Sequence, residues 1–324
     1  MKMFLAAALA TVLAYGFTPA FAAENTSVSN GDLAKRGLTV ADFPRWKQLA
    51  SNIYAYEGVH APDPEGRVIN TVSLIVIGSD GVLVADGQGD PAQGQAMVDN
   101  IKKLTAQPVK YMIVASDHID HVGGNAAFKK AWPGIVFVST PVSQRNLAKN
   151  ENPPTETITD KRAFKMGNID VQVMNLGRAH TGGDLAVYLP ASKILFMSEI
   201  YLRGVFPAMR SAYPTEWVET IKKAQAMDVS LYVPGHGFID DPATMKRDLE
   251  ESRKAIVAVI AEAKRLHDAK IPCVVTPPQP GQKPTLCEAA QKANWGSYAD
   301  LGLASSQGQL AVVKVYQEIE GKLP

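Results

Sequence analysis

Two periodicities alternate along this chain. Short runs of β-branched and other apolar residues, bounded by Gly, Asp, Asn or Pro, predict strands at 52–56, 71–77 and 82–85, the last two a hairpin around Ser79-Asp80-Gly81. The same pattern recurs at 109–115, 135–139, 169–174, 185–189, 194–197 and 231–233. Between these runs the spacing changes to that of helices. Pro91 opens one to about Lys103, and others are expected at 123–130 and 215–227. Asp241 followed by Pro242 is an N-cap and first-turn pair that starts a long helix with Leu249, Ile256, Ile260 and Leu266 on one face. Past Ala269 the chain becomes Pro-rich, and helical spacing returns at 309–319. Strands that arrive both as hairpins and as strand–helix pairs predict a layered α/β architecture, with mixed sheets covered by helices.

The first residues do not fit that pattern. Met1 and Lys2 precede an apolar run over 4–14, and Ala20-Phe21-Ala22 supplies a small-x-small site. This is the order of a secretory signal peptide cleaved after Ala22, and it predicts a periplasmic or secreted protein. The alternative is an N-terminal membrane anchor; the small-residue site and the polar Glu24-Asn25-Thr26-Ser27 argue for removal. No later stretch approaches the roughly 20 apolar residues needed to span a bilayer, so no membrane span is expected in the mature chain.

Composition narrows the class. The 324 residues are 46% hydrophobic and 20% charged, which excludes a disordered, collagen-like or disulfide-dense chain. Without residues 1–22, whose only charge is Lys2, basic and acidic residues are equal in number. No nucleic-acid partner is expected of such a balance, although composition does not exclude a local basic patch. The two cysteines, Cys273 and Cys287, flank Pro277, Pro278, Pro280 and Pro284. In an oxidising compartment they can close that loop as a disulfide; the other possibility is two unpaired thiols.

Four of the six histidines sit at strand ends or glycine turns. His118 and His121 lie in Ser116-Asp117-His118-Ile119-Asp120-His121-Val122-Gly123-Gly124, His180 precedes Thr181-Gly182-Gly183-Asp184, and His236 lies in Pro234-Gly235-His236-Gly237. Loops there let side chains converge without burying strand backbone, and imidazole with carboxylate is the donor set a zinc-like ion takes. A single His-x-Asp-His string is weak evidence for a metal; three His-bearing glycine turns together are much stronger. His60 reads as a solvated loop residue and His267 as a surface residue of the long helix.

At these residues the chain resembles the metallo-β-lactamase superfamily over roughly 50–245. The strand-end Asp of that family is matched by Asp86, and its H-x-H-x-D-H motif by Ser116–His121 with the first His replaced by Ser116. Its His before Thr-Gly is matched by His180, its later acidic ligand by Glu199 and its last His by His236. The resemblance implies a four-layer αββα sandwich of two mixed sheets flanked by helices, with metal at one edge between the sheets. The implied division is a signal peptide at 1–22, a domain at 23–245 and a helical C-terminal extension at 246–324 packed on it. The implied metal ligands are His118, Asp120, His121, His180, Glu199 and His236. A site of Asp120, His121 and His236 resembles a full set, whereas His118 and His180 lack their third imidazole. One tightly bound zinc is therefore expected, with a second weak or absent; another divalent metal is possible. Glu199 is one methylene longer than the usual Asp, which leaves open whether it bridges, binds one ion or stays outside.

A zinc-like ion lowers the pKa of bound water from about 15.7 toward about 7, giving hydroxide at neutral pH, and polarises a carbonyl. This suits hydrolysis of a small-molecule ester, lactone or amide. Asp120 is expected to bind metal and orient the attacking oxygen. Asp117 is expected to hold or relay a proton, or alternatively to cap the following helix. Tyr201, Arg203, Phe206, Arg210 and Tyr213 crowd the segment after Glu199. They are expected either to line the substrate pocket, with an arginine meeting a carboxylate, or to pack their aromatics on the sheet. A true β-lactamase, a non-catalytic exported metal-binding protein and, more remotely, an iron-dependent oxidoreductase are the competing readings. Substrate identity, the native metal and oligomeric state are not legible.

Overall fold

The computed structural model describes residues 33–59, 69–275 and 286–324. The expected signal peptide, His60 and the four prolines between the cysteines lie outside the described residues.

Seven strands form the first sheet, in chain order: β1 (Arg45–Ala50), β2 (Ile53–Val59), β3 (Asn70–Ile77), β4 (Val82–Ala85), β5 (Val109–Ile113), β6 (Val136–Ser139) and β7 (Glu156–Thr157). The pairs from β1 to β4 are antiparallel and those from β4 to β7 parallel. The second sheet has β8 (Lys161–Met166), β9 (Ile169–Met174), β10 (Ala186–Leu189), β11 (Ile194–Phe196) and β12 (Leu231–Val233), antiparallel except for the β11–β12 pair. The parallel pairs need crossover helices. These are α1 (Pro91–Leu104) between β4 and β5, α2 (Ile119–Val122) and α3 (Asn125–Ala131) between β5 and β6, α4 (Pro141–Asn146) after β6, and α5 (Pro214–Gln225) between β11 and β12. Three more follow: α6 (Pro242–Asp268), α7 (Glu288–Lys292) and α8 (Ala304–Ile319).

Three apolar clusters between layers make the stack four deep. Leu74, Leu83 and Ile113 of the first sheet meet Val171, Val187 and Phe196 of the second. On the other face of the first sheet, Ile75, Val84 and Met112 receive Met97 and Ile101 of α1 and Phe128 of α3. On the far face of the second, Leu195 and Tyr232 receive Trp217 and Ile221 of α5, Leu249 and Ile256 of α6, and Val312 and Val315 of α8. This is the mixed α/β fold of two helix-flanked sheets that the sequence led us to expect. β4 is buried at all four positions because both its faces are covered, which is why it reads as an unbroken apolar run.

Local signals explain the helix ends. The Asp90 carboxylate accepts the Gln93 amide at the start of α1, and Asp241 accepts those of Ala243 and Thr244 at the start of α6. β1, β7 and β8 were not foreseen because they are edge strands, β1 and β8 rich in Lys, Arg and Gln, and α2, α4 and α7 because they are too short to show periodicity. The helix expected at 123–130 is α3, which starts at Asn125; at Gly123, between α2 and α3, a Cβ would lie 2.0 Å from the Gly89 carbonyl oxygen. α8 begins at Ala304, ahead of the expected 309, because Ser305, Ser306, Gln307 and Gly308 carry no apolar signal. His267 is half-buried rather than on the surface, its ring 4.9 Å from that of Tyr316 on α8. Among the described residues, no helix is long and apolar enough to cross a membrane.

Candidate metal centre

Four segments bring the centre together at one edge between the sheets. β4 ends at Asp86, a non-glycine residue at φ 64°, and its buried carboxylate closes three contacts. Oδ1 accepts the Ala115 amide at 2.9 Å, and Oδ2 accepts Ser198 Oγ–H at 2.6 Å and His121 Nδ1–H at 2.8 Å. Asp86 thus ties the ends of β4, β5 and β11 together and aims one imidazole. Past β12, Gly237 at φ 105° turns the chain after His236, whose Nδ1–H donates to the Asn70 carbonyl at 2.8 Å.

A carbonyl oxygen can only accept, so His236 Nδ1 carries a hydrogen and, in the neutral ring, Nε2 keeps a bare lone pair. Asp86 fixes His121 in the same way. The two Nε2 atoms then stand 3.2 Å apart, with Asp120 Oδ2 at 3.2 Å from that of His236 and 3.7 Å from that of His121. Two lone pairs and a carboxylate converging on one point call for a cation between them. Asp120, His121, Glu199 and His236 form one donor group, and His118, His180 and Glu199 a second, each with ligand atoms within 4.8 Å of one another.

Glu199 belongs to both groups. Its Oε2 lies 2.9 Å from His118 Nδ1 and accepts the Ser116 hydroxyl, while Oε1 lies 3.2 Å from His180 Nε2 and 3.4 Å from His236 Nε2. The extra methylene carries the carboxylate toward the position that Ser116 leaves without an imidazole. The donor chemistry fits a divalent ion in each group: imidazole nitrogens and carboxylate oxygens, with two tautomers already set.

In the metal-free cluster the charges hold protons. Burial opposes a charge on His121, but the carboxylates of Asp86, Asp120 and Glu199 outweigh it and push its pKa up to about 9. Burial likewise opposes a charge on His236, which Asp120 and Glu199 push up to about 10. Burial alone would raise Asp120 and Glu199, yet the imidazoles around them hold both well below the usual carboxylate range.

The other expected site residues are placed differently. Asp117 belongs to neither donor group; its carboxylate accepts Asn146 Nδ2–H of α4 at 2.7 Å. Nor does it cap α2, whose N-cap is His118 without a side-chain bond. A cavity of about 180 Å³ opens beside His118, Asp120, His180, Glu199 and His236, and of the five residues expected to line it only Arg210 does. Arg203 is taken up by Asp248 at 2.7 Å and Asp240 at 2.7 Å. Phe206 is buried against Trp295, ring centroids 5.2 Å apart, and Tyr213 lies under Arg178 with its hydroxyl donating to the Pro324 carbonyl. Tyr201 is buried too, its hydroxyl on the Met245 carbonyl at 3.1 Å.

Sequence reasoning missed Asn70, Ser198 and the apolar walls Ile69, Leu202 and Val205. An Asn opening a strand was a signal, because Asn is depleted in strands unless its amide has work there. Its Oδ1 and Nδ2 pair with both polar backbone atoms of Gly237. Cys273 and Cys287 are joined as a disulfide, Cα atoms 4.9 Å apart.

A two-part cluster of imidazoles and carboxylates at the edge of an αββα sandwich defines a class of metalloprotein. The model of the metallo-beta-lactamase superfamily matches residues 66–236, and the chain belongs to that superfamily. It is 24% identical over 192 residues to the type 2 metallo-beta-lactamase of Bacillus cereus, covering 57% of this chain and 74% of that one. It is also 24% identical over 169 residues to the 2,4-dinitroanisole O-demethylase subunit alpha of a Nocardioides species, covering 51% and 52%. Among solved structures it resembles a metallo-beta-lactamase of Pontibacter korlensis, with a TM-score of 0.58 at 23% identity over 65% of this chain and 98% of that one. One from Hirschia baltica gives 0.57 at 18% identity, over 65% and 97%. At such identities the structural likeness establishes the fold.

Proposed function

We propose that this protein is an exported, zinc-dependent hydrolase of a small carboxylic acid derivative: an ester, lactone or amide. The observation that carries this reading is the pair of donor groups sharing Glu199 and opening on a cavity. Asp120, His121, Glu199 and His236, and His118 and His180 with Glu199, would hold a divalent ion, which would supply a water of pKa about 7 and polarise a carbonyl. Asp120 has its carboxylate among the donors and also lines the cavity, where it orients the attacking oxygen and takes its proton. Ile69, Leu202 and Val205 line the same space and exclude water from it. Arg210 is exposed at the rim with no ion pair among the described residues, suited to a carboxylate on the substrate. The group of Asp120, His121 and His236 fills first, and the group of His118 and His180 fills at higher metal concentration.

The Cys273–Cys287 disulfide supports export through a cleaved signal peptide, because such bonds persist in oxidising compartments. Elemental analysis of purified protein, paired with an ester and lactone panel with and without chelator, tests the reading. Chelator-sensitive turnover is expected; bound zinc without turnover of any member would leave a metal-binding protein. The similarity to metallo-beta-lactamases favours β-lactam hydrolysis as a second reading, whereas Glu199 in place of the usual Cys or Ser stands against it. A nitrocefin assay separates the two.

A further inference from the structure

The cavity beside the metal centre has a wall from a distant part of the chain. Leu303, Gln307 and Leu310 line it together with His118 and Glu199, and all three lie outside residues 66–236, which the superfamily model matches. Gln307 and Leu310, three residues apart, share a face in the first turns of α8, and Leu303 is the residue just before the helix. The adjoining side of the helix, with Ala311, Val312 and Val315, is buried in the core beneath the second sheet.

This wall is built rather than incidental. Gly302 accepts the Phe206 amide at 2.8 Å and donates to the Gly204 carbonyl at 3.1 Å, so a parallel bridge pairs it with the segment that carries Leu202 and Val205. Trp295 meets Phe206 edge to face and sits against Gly308 of α8. Gln309 Oε1 accepts the Cys287 amide at 2.6 Å, which anchors the helix to the disulfide. Leu303 occupies the left-handed region at φ 66°, a conformation that strains a leucine and costs a glycine almost nothing. A large apolar side chain kept there at that cost, half-exposed into the cavity, marks a position where the side chain itself matters.

We propose that the first turns of α8 form the selectivity wall of the pocket. Leu303 and Leu310 limit the acyl chain that reaches the metal centre to a short aliphatic one, and Gln307 offers the one amide on that wall to a polar atom of the substrate. The proposal rests on the hydrolase reading for what the pocket does, but its binding test does not need turnover.

The zinc-loaded full chain is titrated calorimetrically with straight-chain hydroxamic acids from two to eight carbons, and assayed with the matching p-nitrophenyl esters. Affinity is expected to fall once the chain meets the wall. Leu310→Ala should then improve binding of the longer members about tenfold for each methylene admitted, and leave acetohydroxamate within about twofold. Leu303→Gly should shift the profile the same way, and because it relieves a positive φ it stays folded even if Leu310→Ala does not. Val257→Ala, an exposed site on α6, serves as control. Parallel profiles in Leu310→Ala, Leu303→Gly and the parent chain at equal zinc content would overturn the wall. A shifted hydroxamate profile with no ester turned over would keep the wall and remove the hydrolase reading.

Discussion

The two halves of the centre are built to different standards. In one, His121 and His236 each donate Nδ1–H to a fixed acceptor, Asp86 or the Asn70 carbonyl, so both rings are aimed before any ion arrives. In the other, His180 Nδ1 is buried with no hydrogen-bond partner among the described residues, and His118 leans on Glu199 and His180. The first half owes its geometry to the sandwich, which holds Asp86 and Asn70 at strand ends. The second depends on a single borrowed carboxylate. A lost ligand can therefore be made good by a longer neighbour, at the cost of coupling two sites through one side chain.

Glu199→Gln should break this comparison most completely. Both donor groups lose a charge at once, and bound zinc after dialysis is expected to fall well beyond the roughly 10–100-fold of an outer-shell mutation. Retention of one tight ion would show that Glu199 serves only the half with His118. Next comes pH. His121 and His236 of the metal-free chain hold protons up to about 9 and about 10, so zinc must displace them, and affinity should rise about tenfold per pH unit for each proton released. Competition titrations between pH 6 and 8 check this. The sign for stability is opposite. These raised values stabilise the metal-free fold fully below about 6.5, and that contribution is lost as pH rises through 9 to 10. Thermal melts of the chelated protein should decline over that window, whereas the zinc-loaded protein should not.

Asp86→Asn should cost about 10–100-fold in affinity, mostly at the half with His121, since the amide still fills the space but no longer holds the imidazole as a charged acceptor. A smaller effect is expected of Ser116→His. Ser116 is fully buried with its hydroxyl on Glu199, so an imidazole there collides with that carboxylate and should bring little gain. Ser116→His with Glu199→Asp should tighten the weaker half beyond the sum of the single changes, read as a second ion in calorimetry. His267→Ala, packed on Tyr316 away from the centre, should change neither metal content nor turnover.

The layered fold was legible because β3, β4 and β5 and the capped helices α1 and α6 carry strong local signals. Edge strands were not, because half-exposed backbones accept Lys and Arg as readily as Val. The donor set was readable from glycine turns and from family resemblance. Its supporting atoms were not: the Asn70 carbonyl belongs to no side-chain motif, and the reach of Glu199 to Ser116 depends on how β5 and β11 are placed relative to each other. The pocket was the hardest part. Arg203 and Tyr213 looked free in the sequence because their partners, Asp240, Asp248 and Pro324, lie elsewhere along the chain. Leu310 looked like an ordinary helix residue for the same reason, and Leu303 lay outside the expected helix.

The bridge between Val205 and Gly302 joins the wall to the rest of the molecule with a single strand-like pairing. A strand woven into either sheet could not vary without disturbing its neighbours' register, and through them the ligands. Residues hung on one bridge and one helix face escape that constraint. Mutations at Leu303, Gln307 and Leu310 can accumulate and be selected with the metal chemistry held constant. On the proposed reading, this division of labour would let the pocket change its substrate while the ligands stay in place.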